Sequence, residues 1–330
     1  MVNDRQGPTA RETRRRIKRI AGQLAAVGSV VLLPLTLLPF VGWQYPFELL
    51  SHFQMQYFFA ALACFALLAL LDRWRWCVVS LASLVLAAVA VGPYQGAGKA
   101  AHADVVDTGR SVRVLLANVL LSNRQHDRVL ELVGNADADV LVFQEVNERW
   151  RSALTGITAA YPHVAGKTRE DPFGIMVYSR LPILEHERFA HDGAGRTSLR
   201  LVVDVQGTPV SFVCTHPKPP LLKTAFAHRN DQIDRVIQLV ETLPRPVVLV
   251  GDLNTTMWSP WYRQLCDRGD LASVREGVGV LGSWPVALPG FMRIPIDHVL
   301  VSPDVTVGGC RLGEPVGSDH LPLIVDLRVP

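Results

Sequence analysis

The stretch Val247-Val248-Leu249-Val250-Gly251-Asp252-Leu253-Asn254 decides how the C-terminal part of this 330-residue chain is read. Four consecutive uncharged aliphatic residues form a strand buried on both faces. Gly251 lets the backbone turn sharply, and an acid and a carboxamide at i and i+2 share one side. The same pattern recurs on either side. Val112–Asn118 is a short apolar strand ending on a carboxamide, Val140–Glu145 one ending on a carboxylate, and Gly174–Ser179 a third. Ser198–Val205 and Val210–His216 form a hairpin through Gln206-Gly207-Thr208. Asp297–Ser302 and Leu321–Val329 complete the strands, while His126–Val133 and Leu222–Leu243 read as helices, the second stopped by Pro244. Hairpins mixed with helix-linked strands predict an α+β domain with stacked sheets.

Polar residues collect where these strands begin or end: Asn118, Glu145, His216, Asp252, Asn254, Asp297 and His320. Each has an ordinary structural explanation by itself. Glu145 can be a metal ligand or the N-cap of a helix from Asn147 onward, Asp252-Leu253-Asn254 can be a plain turn, and a buried histidine usually has a local partner. Together they form a set of hard oxygen donors and imidazoles with no cysteine among them, which suits Mg²⁺ or Mn²⁺ rather than structural zinc.

In this set and order the residues resemble the endonuclease/exonuclease/phosphatase superfamily, metal-dependent phosphoesterases with an exonuclease-III-like fold. The stretches that carry the resemblance are Leu116-Ala117-Asn118, Gln144-Glu145, Thr215-His216, Gly251-Asp252-Leu253-Asn254, Ile296-Asp297-His298 and Gly317-Ser318-Asp319-His320. It covers about residues 112–328 and implies a four-layer α/β sandwich, two mixed β-sheets packed face to face with helices outside. It also implies roles. Glu145, helped by Asn118, holds a divalent Mg²⁺ or Mn²⁺, and Asp319 supports the metal side. Asp252 orients or deprotonates the attacking water, and Asn254 holds the phosphate. His320, oriented by Asp297, contacts the phosphate or shares proton transfer. His216 stands where DNA-repair members carry tyrosine and where lipid phosphodiesterases and several phosphatases carry histidine. Val119-Leu120 stands where repair nucleases have a further polar residue; Asn123 is a possible substitute.

The N-terminal part is different in kind. No charged side chain lies between Arg19 and Glu48, between Glu48 and Asp72, or between Arg75 and Lys99, gaps of 28, 23 and 23 residues. A bilayer core takes about 20 apolar residues as helix. Three spans are expected near 23–42, 56–71 and 76–92, giving a basic tail 1–22, a membrane domain 23–92, a Gly/Ala-rich linker 93–110 and a catalytic domain 111–330. Seven basic residues, Arg5 to Arg19, precede the first span, the loop after it has none, and Asp72–Arg75 has two. Positive residues stay cytoplasmic, so three crossings place the catalytic domain outside the cytoplasm.

The mean hydropathy of +0.21 excludes a plain cytosolic enzyme or a disordered chain. Residues 99–330 hold 24 of the 33 basic and 26 of the 30 acidic residues, a net −2, and so lack the basic field of a protein that grips duplex DNA. Three cysteines in the outer domain permit one disulfide without arguing for it. Trp258, Trp261 and Trp284 follow or separate the motifs, at least two of them expected to pack, and Lys218 is expected to be solvated. The expected function is a membrane-anchored, metal-dependent phosphodiesterase acting on a lipid head group, a small diester or short nucleic acid. An extracytoplasmic nuclease is one alternative. A catalytically silent tethered binding module is another, opposed by the presence of every expected catalytic side chain.

Overall fold

Two six-stranded mixed sheets lie face to face. The first has the order β11-β12-β1-β2-β4-β3 and is built from β1 (Ser111–Asn118), β2 (Val140–Gln144), β3 (His163–Lys167), β4 (Ile175–Ser179), β11 (Thr306–Leu312) and β12 (Leu323–Arg328). The second has the order β5-β6-β7-β8-β10-β9, from β5 (Ile183–Ala190), β6 (Thr197–Val205), β7 (Thr208–Cys214), β8 (Val247–Asp252), β9 (Ala272–Ser273) and β10 (Asp297–Val301). The computed structural model describes residues 9–95, 109–191 and 197–330; most of the expected linker, and Arg5, lie outside the described residues.

The two-residue period of the strands assigns each side chain to a layer. Val114, Leu116, Val140 and Val142 of the first sheet meet Phe212, Val248, Val250 and Val299 of the second in the central core. Their odd-and-even neighbours point outward. Leu115, Leu141 and Phe143 pack under α5 (His126–Ala136) and Trp150 of α6 (Glu148–Ala153). Val247, Leu249 and Leu300 pack under α7 (Lys223–Val240) and α8 (Pro260–Gly269). The result is the expected four-layer sandwich. Asn118, Gln144, His216, Asp252 and Asp297 share the parity of the central core, so they cap its rim where the sheets meet.

The strands missing from the sequence reading are β3, β5, β9 and β11. All four are the edge strands of their sheets, and most residues of β3 and β5 are exposed or half-buried, so they carry charges instead of apolar runs. All five cysteines are free.

Ahead of the sandwich lie α1 (Ala10–Val41), α2 (Phe47–Ser51), α3 (Gln54–Leu70) and α4 (Trp74–Val91). The first helix starts inside the basic run, well before residue 23, because Thr9 and Glu12 form a capping box. Among the described residues two helices, Ala10–Val41 and Trp74–Tyr94, are long and apolar enough to cross a membrane. The second expected span, 56–71, is corrected: α3 has 17 residues, about 26 Å of rise against a core of about 30 Å. Large apolar side chains on these helices face outward, Leu70 being 80% exposed.

The helices pack onto the sandwich. Val91 joins the core under α7 and α8, with Met55, Ala90 and Tyr94 against it. The indoles of Trp258 and Trp261 donate to the carbonyls of Ala90 and Trp43. Glu48, 0% exposed, lies 2.9 Å from the equally buried Arg229 guanidinium as an ion pair of imperfect hydrogen-bond alignment, and it accepts from the hydroxyls of Ser259 (2.5 Å) and Thr255 (3.2 Å). His52 meets Thr256 Oγ1 at 3.0 Å.

Candidate active site

Register places the acids. In the antiparallel pair β8·β10, Asp252 stands directly opposite Asp297. His320 arrives on the loop before β12, where Ser318 Oγ donates to the Asn118 carbonyl and accepts from the His320 amide. His320 Nδ1 donates to Asp297 Oδ2 at 2.9 Å, and its Nε2 lies 3.7 Å from Asp252 Oδ2. Across the cleft Asn118 Nδ2 donates to Glu145 Oε1 (3.0 Å) and Asp252 Oδ2 (3.3 Å). The Leu121 amide donates to Glu145 Oε2 at 3.0 Å. His216 sits between the halves, 3.8 Å from Glu145 Oε1 and 3.6 Å from Asp252 Oδ2.

Several local readings resolve here. Glu145 is no cap: Asn147 accepts from the Trp150 amide as N-cap of α6, and Glu145 is held at φ 62° with its carboxylate on the cleft. Gly251 is needed less for a turn than for a close approach, since a Cβ there would run into the Thr215 carbonyl oxygen. The strand alternation stops at Asp252. Asn254 has φ 49°, its amide donates to Asp252 Oδ1, and its own Nδ2 donates to the Pro217 carbonyl. Asn123 clamps the Val119 and Val316 carbonyls and is not the substitute polar group. Asp319 is exposed and accepts from the Trp284 indole at 3.0 Å. Trp258 and Trp261 pack on the helices, as expected of two of the three, and Trp284 stands 6.5 Å from the His320 ring. Lys218 is half-buried.

The sequence reading missed Gln144 as a bridge. Its Nε2 donates to the Thr215 carbonyl and its Oε1 accepts from the Asp252 amide, both at 2.8 Å, tying the two sheets at the rim. The signal was present, a polar residue ending an otherwise apolar strand. Arg229 was also missed. Its Nη1 approaches the Asn254 carbonyl at 3.4 Å, which links the helix-side cluster to the active-site loop.

Burial sets the electrostatics. It pulls the His320 imidazole down, but the Asp297 and Asp252 carboxylates raise it overall to about 10. Burial pushes Asp252 up, His320 draws it back and Asp297 pushes it up again, leaving it at about 6. Burial would raise Asp297 too, yet His320 holds its carboxyl below the usual range. Near neutral pH the group is therefore an imidazolium between two carboxylates. His298 faces away from the cleft. Burial and Arg275 push it down to about 3, and its neutral ring donates to the Thr255 carbonyl.

Asp252, Asp297 and His320 bring possible ligand atoms within 4.8 Å of one another. A protonated imidazole cannot ligate, and Asp297 is engaged by His320, so this trio is better suited to proton chemistry. Glu145, helped by Asn118, fits a hard divalent ion better. Glu145 lies at the cleft, its side chain 14% exposed, and Asn118, which turns its Nδ2 to Glu145 and its oxygen to the Leu120 amide, positions that carboxylate.

The model of the Endonuclease/Exonuclease/phosphatase family matches residues 114–320. Among solved structures, humanized D. rerio TDP2 is similar with TM-score 0.56 at 16% identity, over 67% of this chain and 100% of that one. An endonuclease/exonuclease/phosphatase from Beutenbergia cavernae has TM-score 0.56 at 20% identity, over 67% and 72%. Sphingomyelinase C from Streptomyces griseocarneus has TM-score 0.51 at 22% identity, over 66% and 99%. No curated protein matches the sequence.

Proposed function

This chain belongs to the endonuclease/exonuclease/phosphatase family and is a hydrolase of phosphoester bonds, and from that premise we propose a membrane-anchored, divalent-metal-dependent phosphodiesterase whose catalytic domain faces out of the cytoplasm. The observation that carries the chemistry is the line Asp297–His320–Asp252, 2.9 Å and then 3.7 Å, at the rim of the core. Asp252 at Oδ2 takes the proton of the attacking water; a carboxylate near pKa 6 is basic enough to do so and ionised at neutral pH. His320, its tautomer fixed by Asp297, donates from Nε2 to a phosphoryl oxygen. Asn254 and His216 line the phosphate position. Glu145, helped by Asn118, would hold Mg²⁺ or Mn²⁺, which when bound stabilises charge on phosphoryl and leaving oxygens.

The anchoring rests on two helices long and apolar enough to span, and on charge. Gly22 of α1 lies against Leu71 and Arg73, while Gln56 at the start of α3 bonds the sandwich, so α3, though short, runs back from the sandwich end to the basic end and the bundle makes three passes. A basic end inside leaves the sandwich outside. A signal sequence is opposed by the packing of α1 through α4 on one another and on the sandwich. The nuclease reading keeps one observation, Trp284 beside His320, where a base could stack.

The test uses the full chain in detergent with bis(p-nitrophenyl) phosphate. Turnover is expected with Mg²⁺ or Mn²⁺ and lost in chelator. Glu145→Gln should raise the metal concentration for half-maximal rate by at least about tenfold, the scale of a disturbed metal shell. A variant as active as the wild type at low metal would remove Glu145 from the ligand set.

A further inference from the structure

Three loops leave the catalytic end of the second sheet, and all three meet the membrane helices at one end. The loop after β7 runs from His216 to Leu221, whose carbonyl accepts from Tyr45 OH at 3.3 Å. The loop after β8 carries Thr255 and Thr256 to Glu48 and His52. The loop before β10 runs from Trp284, beside His320, to Phe291 and Arg293, whose carbonyls accept from Gln56 Nε2 at 3.1 and 3.3 Å. The Phe291 ring lies 6.5 Å from that of Phe59, about 7–8 Å along α3 from Gln54 at 1.5 Å per residue.

Two of these loops expose their largest apolar side chains at that level. Leu221 and Leu222 are 75% and 67% exposed, Phe291 and Met292 60% and 42%. The helix ends beside them expose Trp43, Phe47, Leu50 and Phe53. The two loops are thus continuous with the apolar surface of the helices. The buried Glu48–Arg229 pair ties the segment between α1 and α3 to α7 of the sandwich. Catalytic residues stand close behind. His216 is five residues from Leu221, roughly 17 Å of extended chain at most.

We propose that Leu221, Leu222, Phe291 and Met292 insert into the leaflet that holds the anchor, so that the cleft opens at the bilayer surface and takes its phosphoester from lipid head groups of the same membrane. This rests on the anchored phosphodiesterase reading and adds the surface and the substrate class. Apolar side chains at the headgroup boundary bind by buried area, with no basic field required, which agrees with the outer domain's net −2.

The test places the photo-crosslinker p-benzoylphenylalanine at 222, 291 or 164 in the full chain, reconstituted in phosphatidylcholine/phosphatidylglycerol vesicles. Val164 is an apolar residue exposed on the edge strand β3. Lipid adducts are expected from 222 and 291 and not from 164. The pairs Leu221→Ser/Leu222→Ser and Phe291→Ser/Met292→Ser should each lower vesicle phospholipid hydrolysis about tenfold or more, as lost interfacial area predicts, with bis(p-nitrophenyl) phosphate turnover in detergent unchanged. Absent adducts at 222 and 291 in an enzyme active on the soluble diester overturn insertion while leaving the proposed function standing. Adducts with diester turnover but no vesicle lipid hydrolysis overturn the substrate class. A wild type inert on every diester overturns the proposed function itself, and the adducts still decide insertion.

Discussion

The molecule buries two clusters of acid, imidazole and cation, and they are balanced differently. At the helix junction Glu48 faces His52, Arg229 and two hydroxyls. Burial alone would raise its pKa, but His52 and Arg229 outweigh that and hold the carboxyl far below its ordinary range. At the catalytic rim Asp252 and Asp297 share the His320 imidazole, Glu145 stands nearby with His216 between it and Asp252, and Asp252 is left raised to about 6. The first cluster has a charge for every charge and is sealed, which makes it a clamp. The second carries excess negative charge beside an opening, which leaves work for a cation and a proton. Neutralised burial marks structure in this chain, and unbalanced burial marks chemistry.

The largest expected effect tests the unbalanced cluster. Asp297→Asn and His320→Ala should each lower the diester hydrolysis rate about 10²–10⁴-fold, the scale of positioned acid–base groups. The double variant should be little worse than the poorer single, because the two act as a unit. Additive losses, with circular dichroism showing an intact fold, would separate them.

The next effect tests the clamp. Glu48→Gln or Arg229→Met alone leaves a buried charge unpaired and should cost about 3–5 kcal/mol of stability. Glu48→Met/Arg229→Met together should recover most of that in denaturant unfolding. If the double is as unstable as the worse single, the pair is not the clamp.

The smallest effect is pH dependence. Glu48 has a folded pKa below the ordinary 4.5. Its contribution is therefore fully present above about pH 4.5 and is lost as pH falls through and below that value. Between pH 5 and 3 the wild type should lose Tm more steeply than the Met/Met double, by about 2–4 °C for each kcal/mol involved. Parallel slopes would show that Glu48 is not held charged.

The catalytic domain was legible where strands are apolar and end on polar residues, because parity then gives both the layer and the rim. Val112–Asn118, Val140–Glu145 and Val247–Asp252 carried most of the fold and most of the candidate site in that way. Edge strands such as Ile183–Ala190 were not legible, since exposure on one side and at the edge removes the apolar run that announces a strand. Glu48 stood alone between two long apolar segments and read only as a break between spans. A lone buried acid demands a partner, but Arg229 is far along the chain and no local pattern names it. Gln144 was quoted for its neighbour Glu145, and its bridge needs both sheets in view.

The pairing of β1 with β12 has a consequence for biosynthesis. The helices and the Asn118 and Glu145 half of the cleft leave the ribosome first, while Asp297 and His320 follow more than 140 residues later. Until Leu323–Arg328 zips onto Ser111–Leu116, His320 has no fixed place and the cleft has no proton donor. Hydrolytic competence therefore arrives only when β12 is in place, after the helices and the first half of the cleft have left the ribosome.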